Sequence, residues 1–75
     1  ALLFGNEGEQ TLVIWKQKGD SVLRRIKTNA NEVQYVDLMG RRQPAMLMSG
    51  GVYVQIKSEP QFVVFKGEDI QLSLD

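Results

Sequence analysis

Nine acidic and nine basic side chains carry whatever chemistry this sequence could perform. Histidine and cysteine are absent, which removes the commonest general base, thiolate nucleophiles, disulfides and cysteine-ligated metals. Acid–base work by carboxylates needs a pair, one member of which sits in an apolar cleft that raises its pKa. Glu7, Glu9, Asp20, Glu32, Glu59, Glu68, Asp69 and Asp75 instead fall in turns or at strand ends, and Asp37 opens a tight turn. They read as solvated. Glu68 and Asp69 adjoin, but two neighbouring acids are a weak calcium signal. No metal or cofactor is expected, and a chain of 75 residues is too short to build a deep catalytic cleft.

The basic residues Arg24, Arg25, Lys27, Arg41 and Arg42 could form a stripe across neighbouring strands, with Tyr35, Tyr53 and Trp15 as stacking faces. Small β-barrels bind single-stranded nucleic acid that way. Neighbouring acids cancel the charge to zero overall, so edge protection and solvation account for the same residues and nucleic acid is not the expected partner. Exposed rings also stack on sugars, and Tyr53, Tyr35 and Trp15 are the candidates for a carbohydrate-binding platform. Phe4, Trp15, Phe62 and Phe65 are otherwise expected in the core, where each ring buries about 150–250 Å². No phosphate-binding glycine loop occurs, since Gly5-Asn6-Glu7-Gly8 lacks the following lysine and helix.

The elements that must position these residues are strands. In Val52–Lys57, Val52, Val54 and Ile56 alternate with Tyr53, Gln55 and Lys57, the mark of a half-buried strand. Phe62–Phe65 is apolar on both faces, as is Thr11–Trp15, and such runs suit strands covered on both sides. Ser58-Glu59-Pro60 forms a corner where the chain passes between sheets. Ala1–Phe4 is a short opening strand. Ser21–Lys27 is a strand whose charges suggest an edge. Val33–Leu38 runs into Asp37-Leu38-Met39-Gly40, which suits a type I turn. Pro44 makes Arg41–Met48 an edge or irregular strand, with a helical turn over Ala45–Met48 as the alternative. Ile70–Asp75 is the last strand, and all seven glycines are expected in turns. Strands beginning about every ten residues predict an all-β fold, a small antiparallel β-sandwich of about seven or eight strands.

Length allows one domain, which buries only about 60% of its unfolded surface. The chain opens at Ala1, without methionine, inside an apolar run; it reads as a single domain over residues 1–75 cut from a longer chain, with any targeting signal outside it. No run approaches the roughly 20 apolar residues of a membrane span, so no membrane partner is expected.

Three pieces resemble the small C-terminal β-domain that follows the catalytic (β/α)8 barrel in many bacterial glycoside hydrolases. They are Ala1-Leu2-Leu3-Phe4 with Leu12-Val13-Ile14-Trp15, then Val36-Asp37-Leu38-Met39-Gly40-Arg41, then Val52 through Pro60-Gln61-Phe62-Val63. Phe62 stands where the family usually has Tyr, and Ile70–Asp75 runs beyond the usual end of the pattern. The resemblance implies a non-catalytic accessory domain packing against the catalytic domain of the same parent chain, in a secreted or periplasmic polysaccharide-degrading enzyme. The catalytic carboxylates of such enzymes lie in the barrel. Leu2, Phe4, Met46 and Met48 are the candidates for the interface between domains.

Overall fold

The computed structural model describes residues 2–6, 8–37 and 39–74. Expectations resting on Ala1, Glu7, Leu38 and Asp75 lie outside the described residues. The chain forms eight strands: β1 (Leu2–Asn6), β2 (Glu9–Ile14), β3 (Val22–Thr28), β4 (Glu32–Val36), β5 (Arg42–Pro44), β6 (Gly51–Ile56), β7 (Gln61–Lys66) and β8 (Leu72–Leu74). They build two antiparallel sheets, one in the order β1-β2-β7-β4-β5 and one in the order β6-β3-β8. The all-β sandwich expected from the alternation is what forms.

Alternation decides the core. Leu12 and Ile14 of β2, Val33 and Tyr35 of β4 and Val63 and Phe65 of β7 share the inner side of the five-stranded sheet. They meet Ile26, Val52, Val54, Ile56 and Leu72 from the three-stranded sheet. Phe65, Val52 and Val63 are fully buried. The chain crosses between sheets at residues 57–60, the corner that Pro60 predicts, and Lys16 N–H bonds to Lys57 O (3.0 Å) beside it. At the other expected turn, Gly40 N–H bonds to Asp37 O (2.9 Å), while Asp37 Oδ1 accepts from the amides of Met39 and Arg41.

The structure departs from several expectations. β3 is the centre of its sheet, not an edge. Its Arg25 and Lys27 alternate onto the solvent side, so a central strand carries them without burying charge. Phe4, Phe62 and Trp15 lie outside the core, because Phe4 and Phe62 fall on the outward alternation and Trp15 follows the end of β2. Gly5 and Gly51 lie within strands rather than turns. Residues 41–48 contain the edge strand β5 and no helical turn; Pro44 is tolerated there because nothing pairs on its outer side. β8 begins at Leu72 rather than at Ile70, since Gln71 N–H is held by the Asn29 side chain (2.7 Å) before the ladder begins.

Candidate functional site

The outer side of the five-stranded sheet is the most distinctive surface. Strand register sets its rows. Leu2, Val13, Phe62, Val36 and Arg42 lie side by side across β1, β2, β7, β4 and β5. The next row holds Phe4, Thr11, Val64, Gln34 and Pro44, and a third holds Glu9, Lys66 and Glu32. Two rows of mostly apolar side chains therefore run beside one charged row. Leu2 is 59% exposed, Phe4 54% and Phe62 37%, whereas Val64 between them is 2% exposed. Val64 and Val13 are buried on the outward side, apart from the cluster between the sheets.

Arg42 partly roofs this face. Its Nη2 lies 3.8 Å from Glu9 Oε1 and its Nη1 is 3.5 Å from Gln34 Oε1. Arg42 stands on β5 and Glu9 on β2, so the two side chains must reach over β4 and β7 to meet. The pair is solvent-exposed and contributes at most about 1 kcal/mol.

The rings proposed from sequence do not make one platform. Tyr35 faces the space between the sheets and its hydroxyl donates to the Tyr53 carbonyl. Burial disfavours its phenolate and raises its pKa. The Tyr53 side chain is 47% exposed on the outer side of the three-stranded sheet, directly across from Arg25. Trp15 lies just beyond the end of β2, a strand of the other sheet. A shallow depression of about 280 Å³ with a mixed polar and apolar lining that includes Lys27, Asn29, Gln71, Leu72 and Ser73 lies at the end of the sheet that carries Tyr53, and Tyr53 does not line it.

The basic residues are dispersed as well. Arg25 and Lys27 share the solvent side of β3, Arg24 alternates to the opposite side, and Arg41 and Arg42 belong to the far edge of the other sheet. Arg25 Nη2 donates to Ser49 O (2.6 Å) and Met48 O (3.2 Å), tying down the turn that leads into β6. Among the described residues no polar or charged residue is buried and no group of three acids could hold a metal ion. No helix is long and apolar enough to cross a membrane.

Of the interface candidates, Leu2 and Phe4 join the apolar face, while Met46 and Met48 are exposed on the segment after β5. Sequence reasoning missed Val13, Val36, Phe62 and Val64 as one surface. The signal was present, because β2 and β7 read as apolar on both sides. Comparison with known proteins found no matching family model, no matching curated protein and no matching solved structure.

Proposed function

We propose that this chain is a non-catalytic accessory domain that lays the outer face of its five-stranded sheet against a neighbouring folded domain, stabilising or positioning it. One observation carries the reading. The central strands β2 and β7 have apolar side chains on both sides, a pattern suited to two-sided burial, yet on the outer side the fold buries only Val13 and Val64 and leaves Leu2, Phe4 and Phe62 exposed. An exposed apolar face rimmed by polar residues suits an interaction surface. The setting in a secreted bacterial glycoside hydrolase comes from the resemblance of the Leu12–Trp15, Val36–Arg41 and Val52–Val63 pieces to that family's C-terminal domain.

The test is Phe62→Glu in the protein that the native gene encodes. The whole protein is expected to lose more thermal stability than the isolated chain of 75 residues, which itself loses about 1–2 kcal/mol because Phe62 is only 37% exposed. Unchanged melting of the whole protein would remove the proposal. A second reading is favoured by the exposed ring of Tyr53 on the outer side of the three-stranded sheet: a carbohydrate-binding module. Glycan binding that vanishes in Tyr53→Ala, with the fold intact, would establish it. The nucleic-acid reading needs its arginines on one surface, and they lie on different ones.

A further inference from the structure

We propose that two copies of this chain associate through the free edge of β1, antiparallel and about a twofold axis, so that their five-stranded sheets become one continuous sheet. This goes beyond the docking reading, which uses the face of the sheet and not its edge.

An open edge strand offers unpaired N–H and C=O groups, and proteins blunt such edges with proline, charge, shortness or a covering segment. The fold has four edges: β1 and β5 in one sheet, β6 and β8 in the other. Three are blunted. In β5, Ala45 N–H bonds to Val33 O (2.8 Å) and Asp37 N–H to Arg41 O (3.0 Å). The alternation of the ladder therefore turns Arg42 and Pro44 outward, and Pro44 has no N–H to offer. In β6, Thr28 N–H bonds to Gly50 O (2.9 Å), which turns Gly51, Tyr53 and Gln55 outward. Gly51 is already paired with Met48 (2.8 and 3.0 Å), and the Tyr53 carbonyl accepts the Tyr35 hydroxyl. β8 has only three residues. β1 has five, Leu-Leu-Phe-Gly-Asn, with neither charge nor proline.

The groups that β1 presents follow from the same alternation. Gly67 N–H bonds to Gly8 O (3.1 Å) and Lys16 N–H to Lys57 O (3.0 Å), so Gln10, Leu12 and Ile14 bond towards β7. Glu9, Thr11 and Val13 then bond to Asn6, Phe4 and Leu2, leaving the amides and carbonyls of Leu3 and Gly5 on the open edge.

A second copy fits this edge better than a foreign strand, because the edge is complementary to itself. With the twofold at Phe4, Leu3 of each copy lies opposite Gly5 of the other, and four backbone hydrogen bonds use every outward group of both. Phe4 then faces Phe4 on the outer side, at the short spacing that favours an aromatic pair. No charge opposes another, since β1 has none. The groove beside the edge, about 160 Å³ and lined by Leu3, Leu12, Ile14, Ile26 and Leu74, adds apolar surface at the seam, with Leu74 64% exposed. An isologous contact of this kind closes as a dimer and does not propagate.

The test is sedimentation equilibrium of the native chain from micromolar to millimolar concentration, together with NMR on a mixture of isotope-labelled and unlabelled copies. A concentration-dependent dimer is expected, with an intermolecular Hα–Hα contact between the two Phe4 residues and slowed exchange of the Leu3 and Gly5 amides. Leu3→Pro removes an edge donor that makes no bond to β2, and the dimer should weaken by about tenfold or more. Phe4→Lys places like charges across the axis and should give a monomer, with slow exchange at Val63 and Phe65 reporting an intact fold. Phe62→Glu, on the face, should leave the dimer unchanged. A native chain that stays monomeric to millimolar concentration would overturn the proposal. So would a dimer that survives Leu3→Pro and dissociates in Phe62→Glu, or a monomer whose edge captures only an unrelated strand. Failure here leaves the docking face untouched, because Leu3→Pro reads the edge and Phe62→Glu reads the face.

Discussion

A Cβ at Gly5 would lie 2.2 Å from the Glu9 carbonyl oxygen, and one at Gly51 would lie 2.7 Å from the Arg25 guanidinium carbon. The first obstacle is backbone within a hairpin and cannot retreat. The second is the end of a flexible side chain, which moves at the loss of its bonds to Met48 O and Ser49 O. Gly5→Ala should therefore destabilise by about 1–3 kcal/mol, the range of overpacking strain, and Gly51→Ala by about 1 kcal/mol, one hydrogen-bonded clamp. Thermal melting distinguishes them, since each kcal/mol shifts Tm by about 4–8 °C in a domain of this size. Tyr35 carries a pH prediction. Its pKa is raised above 10.0 by desolvation, so above that pH the unfolded chain gives up the proton first. The stability associated with the neutral phenol is fully present below pH 10.0 and is lost as pH rises through the folded value. Tyr35→Phe should lower stability at neutral pH by about 0.5–1.5 kcal/mol and remove part of the alkaline decline. Urea unfolding at neutral and alkaline pH measures both effects.

Within a single strand, β7 holds the sharpest contrast. Phe65 is fully buried between the sheets and Phe62 is on the outer row. Phe65→Ala should cost about 3–5 kcal/mol, a large share of the stability of a small domain, whereas Phe62→Ala, at a ring that keeps 37% of its surface exposed, should cost about 1–2 kcal/mol. Equal effects in denaturant unfolding would contradict the sidedness assigned to β7. The edge of β5 gives a second element-scale prediction. Pro44→Val restores an outward N–H on that edge and should increase self-association, detectable by light scattering, without touching the Ala45–Val33 bond. The alternation of β6, the apolar runs of β2 and β7 and the corner at Pro60 were legible in the sequence, because side-chain period and proline geometry are local. The central place of β3 was not legible. Charge on alternate residues fits an edge strand and the solvent side of a central one equally well, and only pairing with both β6 and β8 distinguishes them.

Across the whole molecule, most ladders among the described residues join strands distant in sequence: β2 with β7, β4 with β7, β3 with β6 and β3 with β8. Only β1–β2 and β4–β5 are local hairpins. Such topologies pay loop-closure entropy before long-range pairing rewards it, and folding on the millisecond-to-second scale is expected by stopped-flow fluorescence of Trp15. The sequence by itself determined the all-β class, the antiparallel sandwich, the apolar character of both sides of β2 and β7, and the absence of histidine and cysteine chemistry. These follow from composition and from a period of two residues, which each strand carries within itself. The tertiary structure decided which side of β2 and β7 is covered, which rings are in the core, and which edge is left open. Those are properties of register and strand order. They arise between strands far apart in the chain, so Phe62 and Phe65, three residues apart, have opposite fates that neither residue type specifies.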